Sequence, residues 1–448
     1  MGDHHRTPHR TLLRDGLVID TDPQPAVRPH TDVLVEDGRI AAVGTRLPVH
    51  DAQMIDAREM IVLPGFVDTH RHLWQTILRS AAVDASLDGY LSRILDRHAR
   101  RLTPADVHTG NLLGALECLD AGVTTVQDFS HIQYTPEHSA AAVLALRTAG
   151  IRAVFGYGYP VFDEAARQAD RVRRVRTEHF PSRDGLVTMA LAPLGPSFAP
   201  IGTAREDWLL ARELELPIAV HVHAGPVAQR PIAALQEAGL LGADTLYVHG
   251  NSLADPELKL IADSGGAMAI TPAIEASMRF GPPMVGRLRR AGITTGLGAD
   301  AVTSAPCDMF SQMRAALMSG HFEDGPDGGP DEGLPLTVPD VLRMATMGGA
   351  TALGLDHAVG SLGIGKRADL LLLRADAVNL APVVHDPIGA VVLAAHPGNI
   401  DTVLVEGRPV KRGGRLTHQG LGGVLTEARQ VAERLREADA AAAAEAEE

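Results

Sequence analysis

Residues 60–76 read MIVLPGFVDTHRHLWQT, an apolar run closed by His-x-His. Near-continuous apolar character over so few residues suits a strand buried on both faces of a parallel sheet. His70 and His72 stand at i and i+2, so in extended backbone they point to the same face. Two imidazoles on one face can grip one metal ion. Taken alone, the pair is equally well two loop histidines.

Seven further runs of the same kind follow. They are GVTTVQDFS (122–130), IRAVFGYGY (151–159), LVTMALAPL (186–194), LPIAVHVHA (216–224), DTLYVHG (244–250), GAMAITP (266–272) and ITTGLGAD (293–300). Most are followed by a helical pattern. Eight strand–helix units over about 300 residues predict a (β/α)8, TIM-like barrel. Both flanks read differently. TLLRDGLVID and DVLVEDGRIAAVG before the barrel, and KRADLLLLRAD and DTVLVEGRPVKRGGRL after it, read as short strands with turn signals. The expectation is a barrel over 65–360 inserted into a small β-sandwich made of 11–64 and 361–420. An N-terminal tail (1–10) and a C-terminal helix with an acidic tail (421–448) complete the organisation.

Composition agrees with a packed chain of this size. Of 448 residues 45% are hydrophobic and 21% charged, which excludes a largely disordered protein. Lys+Arg is 41 against Asp+Glu 55, a net charge of −14 that disfavours nucleic-acid partners. No apolar stretch is long enough to span a membrane, and the N-terminus lacks the apolar core of a signal peptide. Two cysteines cannot make a disulfide framework, so a cytoplasmic protein is expected.

The chemistry lies at the strand ends. His or Asp closes the first strand (His70, His72), the fifth (His221, His223), the sixth (His249) and the eighth (Asp300). A lone Asp after a strand is commonly a helix cap. Four such ends converging on one barrel mouth are better read as a divalent metal site with an open position for water.

GFVDTHRHLWQT (65–76), the fifth-strand His, VHGNSL (248–253), LGAD (297–300) and GSLGIGKRADLLLL (360–373) together resemble the amidohydrolase superfamily. The similar branch holds cytosine, guanine and S-adenosylhomocysteine deaminases and triazine chlorohydrolases. The likeness runs from about residue 11 to about 420 and includes the order of sandwich and barrel segments. It implies His70 and His72 as ligands, and Asp300 as ligand and proton carrier. His249 would bind substrate and orient the attacking water. Counting from Pro217, the matching fifth-strand ligand is His221, with His223 the runner-up.

One departure bears on the reaction. The family carries Glu three residues after its fifth-strand His, and in the deaminases that Glu protonates a ring nitrogen. Here the position is Ala224, and no acid occurs between Glu215 and Glu237. His223 is the candidate substitute, because an imidazole exchanges protons near neutral pH. A packed, non-catalytic His223 is the competing reading. The fourth strand carries no Lys or Glu that could bridge two metals, which favours one ion per chain. Zinc is the default for three His and one Asp, and the same donors admit Fe or Mn.

The reaction implied is hydrolysis of a non-peptide C–N bond in a small cyclic, heterocyclic substrate. Deamination by a metal-bound hydroxide is the leading form. Hydrolytic dehalogenation or opening of a cyclic amide or amidine is the alternative in the same site. A non-catalytic homologue serving as a binding subunit is the alternative of another class. Substrate and water are the expected partners, with no nucleic acid and no membrane, and the resemblance implies a homo-oligomer.

Trp74 and Gln75 after the His-x-His, His131, Tyr157 with Tyr159, Phe198 and Glu275 are candidates for the substrate cavity. Arg279 could meet a polar substituent. Cys307 has no evident base beside it in sequence and is not expected to be a nucleophile. The Gly/Pro/acid-rich stretch 320–336 is expected to be a surface loop or lid.

Overall fold

A computed structural model describes residues 10–223, 227–323 and 336–447. Ala224 and Pro226, most of the 320–336 loop, and the N-terminal tail lie outside the described residues.

Eight parallel strands pair in sequence order: Phe66–Arg71, Val123–Ser130, Arg152–Gly158, Val187–Ala192, Ile218–Val222, Thr245–His249, Ala267–Ile270 and Thr294–Leu297. The last meets the first near the mouth. Asp300 N–H donates to the His70 carbonyl at 2.8 Å, and His72 N–H donates to the Asp300 carbonyl at 3.0 Å. This parallel bridge between Arg71 and Asp300 closes the barrel. Small residues (Ala192, Ala219, Ala267, Ala269) cluster with Phe129, Leu246 and Val248 in a core of their own.

The helices of the outer ring begin and end where the sequence allows. Thr103 and Asp106 form a reciprocal cap on Pro104–Asp120, with Pro104 at the first position, where its missing N–H costs nothing. Pro136–Ala149 and Asp255–Ser264 stop at Gly150 and Gly265, whose φ of 72° and 76° suit residues without a Cβ.

The first apolar run does not form one strand. Met60–Pro64 belongs to the terminal sheet, where it pairs with Leu370–Arg374, and the barrel strand starts at Phe66. Gly65 sits between them because a Cβ there would lie 2.0 Å from the Thr124 hydroxyl. The terminal sheet has nine strands drawn from both ends of the chain. It encloses a second core that includes Val33, Ile40, Val62, Leu370 and Leu404. Both predicted hairpin turns carry positive φ, at Asp37–Gly38 and at Glu406–Gly407.

Asp369 of the GKRADL segment joins the two parts. Its carboxylate accepts from Arg152 of the third barrel strand at 2.8 Å, and both side chains are buried. The C-terminal helix Leu421–Glu447 is docked rather than free over its first half. Val424, Ala428, Val431 and Leu435 are buried at helical spacing, and Arg434 pairs with Asp106 at 2.7 Å. Among the described residues no helix is long and apolar enough to cross a membrane.

Candidate active site

Strand ends one, five, six and eight deliver their side chains to one point at the barrel mouth. His70 Nε2 lies 3.2 Å from His221 Nε2. Asp300 Oδ1 lies 3.3 Å from His72 Nε2 and 3.5 Å from His70 Nε2. His249 Nε2 is 3.7 Å from Asp300 Oδ2. Two imidazole nitrogens at that distance either share one proton in an N–H···N hydrogen bond or both turn lone pairs toward a cation between them. Zinc–nitrogen bonds of about 2.0–2.1 Å in a tetrahedron place neighbouring donors about 3.3 Å apart. The observed spacings fit that requirement.

The supporting hydrogen bonds fix which nitrogen is presented. His72 Nδ1–H donates to the Phe129 carbonyl at 2.7 Å, which leaves Nε2 as the ligand atom. His249 Nδ1 faces Thr271 Oγ1 at 3.1 Å and Glu275 Oε1 at 3.3 Å, turning Nε2 toward Asp300. Burial pushes His70, His72 and His221 down, His72 to about 3, so these rings are neutral and ready to ligate at pH 7. Burial opposes ionisation of Asp300. The hydrogen bond from His70 and the proximity of His70, His72 and His249 outweigh it and hold the carboxylate below its usual range.

Backbone strain gathers at the same point. Asp300 has φ 61° and His249 has φ 70°, a conformation that non-glycine residues seldom adopt. Gly298 makes room for the contact, since a Cβ there would lie 2.8 Å from the His70 carbonyl oxygen.

The cluster forms the floor of a cavity of about 290 Å³, at the small end of ligand sites. Its walls include Phe129, Leu194, Phe198, Met278 and Phe280, and a helical segment over residues 87–98 contributes Leu87, Tyr90, Leu91 and Leu95. Among the described lining residues Asp300 is the only acid. That helical segment was not expected to line the site. The i, i+4 spacing of Leu87, Leu91 and Leu95 was the signal available for it.

Not every expected cavity residue lies on the wall. His131, Phe198 and Arg279 line the cavity. Trp74, Gln75, Tyr157 and Glu275 stand behind it. Trp74 is fully buried and donates Nε1–H to His131 Nδ1 at 3.2 Å. Gln75 donates to the Tyr90 hydroxyl at 2.6 Å. Tyr157 is buried edge-on against Tyr159, and Tyr159 lines the cavity in its place. Glu275 is engaged by His249, Asn251 and Thr271 rather than open to a ligand.

His221 and His223 also separate. His221 joins the cluster, whereas His223 lines the cavity beside Phe198 at 5.0 Å, outside the His/Asp group. Strand pairing ends at Val222, and the His223 backbone is tied on both sides to Ser197 Oγ, at 3.0 and 2.9 Å. The alternation that would have kept both rings on one face therefore stops one residue early. Burial pushes the Cys307 thiol up to about 12, which leaves it protonated and a poor nucleophile.

Known proteins resemble this chain in sequence and in overall fold. A sequence model described as Amidohydrolase family matches residues 61–410. A 5-methylthioadenosine/S-adenosylhomocysteine deaminase of Desulforudis audaxviator is 30% identical over 96% of this chain and 99% of its own length. A 5′-deoxyadenosine deaminase of Methanothermobacter thermautotrophicus is 31% identical over 86% of this chain and 90% of its own. The crystal structure of an adenosine deaminase from Xanthomonas campestris with bound zinc superposes with a TM-score of 0.86 at 26% identity. It covers 95% of this chain and 98% of that one.

Proposed function

The chain belongs to the amidohydrolase family, a hydrolase of carbon–nitrogen bonds other than peptide bonds, and from that premise we propose a metal-dependent deaminase of a neutral amino-substituted heteroaromatic ring. The observation that carries the proposal is the pair of clusters His70/His72/His221 and His70/His249/Asp300, which share His70 beneath an apolar cavity, with Asp300 also 3.3 Å from His72. His70, His72, His221 and Asp300 would hold a single divalent ion, zinc by donor type. When bound, the ion supplies Lewis acidity and lowers the pKa of water from about 15.7 toward 7.

The chain's own residues supply the rest. Asp300, held ionised, accepts a proton from the attacking water and passes it to the departing amino nitrogen. His249 faces Asp300 through Nε2 and steadies the oxygen that adds to the ring carbon. Phe129, Phe198 and Phe280 exclude bulk water and accept a flat ring. Overall, ring–NH2 and water give ring–OH and ammonia. The names of the relatives point to an adenine nucleoside as the first substrate to try. The small, acid-poor cavity favours a short uncharged substituent over a long charged one. We extend the proposal to a cytoplasmic homo-oligomer, which sedimentation of the purified chain would test.

A second reading has its own support. Residues 216–236 contain no acid, and a halide leaving group needs no proton from one. The test is elemental analysis of the purified protein, followed by ammonia and chloride assays on 5′-deoxyadenosine, adenosine, aminopyrimidines and chlorotriazines. One metal per chain with ammonia release supports the deaminase. Chloride release without ammonia replaces it with the second reading. Absence of metal after reconstitution with zinc, iron or manganese overturns both.

A further inference from the structure

His131 is neither a ligand nor part of the His249–Glu275 pair, yet it is placed with more care than a cavity wall needs. It is 5% exposed, and its ring stacks on His72 at 4.2 Å with 16° between planes. Trp74, wholly buried behind it, aims its indole N–H at His131 Nδ1 at 3.2 Å. An indole nitrogen only donates. Nδ1 must therefore accept, and the imidazole proton must sit on Nε2.

The other nitrogen has a different outlook. The two nitrogens of an imidazole point to roughly opposite sides of the ring. No described residue partners His131 Nε2, and the ring lines the cavity. With Nδ1 accepting from the indole, the ring carries a single proton and is neutral. The result is a fixed, uncharged N–H donor directed into the cavity from the second strand.

We propose that His131 is a specificity-determining residue whose Nε2–H hydrogen-bonds an acceptor on the substrate ring, a nitrogen or an exocyclic oxygen, with Trp74 as the positioning residue that sets its tautomer. This rests on the deaminase reading for the nature of the ligand. It gives the site a ring-anchoring donor in a chain without an acid on the loop after strand five. No proton is transferred. A neutral donor aimed at an atom that gains electron density as water adds to the ring stabilises that density without having to reorganise.

The test uses the full-length, metal-loaded chain with ¹⁵N-labelled histidine. Long-range ¹H–¹⁵N spectra report which imidazole nitrogen carries the proton, and the His131 signals are assigned by their loss in His131→Phe. The expected result is protonation at Nε2 alone from pH 6 to 8, with Trp74→Phe producing a mixture of tautomers. Protonation at Nδ1, or a cationic ring, overturns the proposal whether or not any amine is deaminated. Titration with 5′-deoxyadenosine should then move the Nε2 resonance. Saturation that leaves it unmoved, with ligand binding seen elsewhere in the cavity, also overturns it. With an amine that releases ammonia, His131→Phe should lower kcat/KM about 100-fold. His131→Gln, which keeps an N–H at similar reach, should stay within about tenfold of the parent. Equal losses in the two variants would make His131 a packing residue only.

Discussion

Asp300 and His70 are joined twice. The Asp300 backbone N–H donates to the His70 carbonyl at 2.8 Å, and the Asp300 carboxylate lies 3.5 Å from His70 Nε2. One of the two hydrogen bonds that close the barrel thus also holds the Asp300 carboxylate beside the His70 imidazole. Asp300→Asn keeps the backbone bond and removes the charge. It should retain the fold by circular dichroism while losing turnover by about 10³-fold or more, since an amide cannot carry the proton. Full turnover in this variant would remove Asp300 from the proton path.

His221→Ala should lower metal content sharply, measured by elemental analysis after dialysis. His223→Ala should keep close to the parent content. The difference follows from the His221 Nε2 contact with His70, beside the position of His223 outside the group. A reversal of the two results would reassign the ligand.

Glu275→Gln should act through His249. The carboxylate accepts from Thr271 N–H at 2.8 Å and faces His249 Nδ1 at 3.3 Å. An amide can present either its oxygen or its NH2 to that nitrogen, so the ring loses its fixed tautomer. A fall of about 10–100-fold in kcat with little change in KM is expected. Loss confined to KM would place Glu275 in ground-state binding instead.

Gly298→Ala tests the closure geometrically. The added methyl would meet the His70 backbone at 2.8–2.9 Å, and backbone atoms cannot swing aside as a flexible side chain can. A loss of about 1–3 kcal/mol in unfolding experiments is expected, together with weaker metal retention.

The pH dependence of the metal-free protein has a defined sign at His72. Its pKa is lowered from 6.5 to about 3 by burial, so the unfolded chain takes up a proton that the folded chain refuses. The stability that His72 contributes is present above pH 6.5 and is lost as pH falls toward 3. Relative to the parent, metal-free His72→Gln should therefore melt progressively higher as pH drops from 7 to 4. A constant difference across that range would show that His72 is not buried neutral.

The site was legible in the sequence where local geometry is enough. His70 and His72 share a face because a strand alternates, and closing residues on successive parallel strands meet at one rim. The same rule was carried one residue too far at His223, where pairing stops at Val222 and the Ser197 hydroxyl takes over the backbone. Trp74 and Gln75 follow His70 and His72 so closely that cavity positions are the local expectation. They fall instead on the short helical turn Leu73–Leu78, all of whose residues are buried.

What the sequence determined by itself was the eight-strand barrel, the terminal strands that flank it, and the residue types that gather at the mouth. Apolar periodicity, turn residues and strand-end histidines are local signals, set by steric and solvation rules that act within a few residues. The tertiary structure alone decided that the run MIVLPGFVDTH breaks at Gly65 into two strands of different sheets. It alone decided that Glu275 serves His249, and that Trp74 faces His131 rather than the cavity. Those outcomes depend on which side chains meet across the barrel wall, and that is fixed when the strands close and buried donors pair with the acceptors within reach.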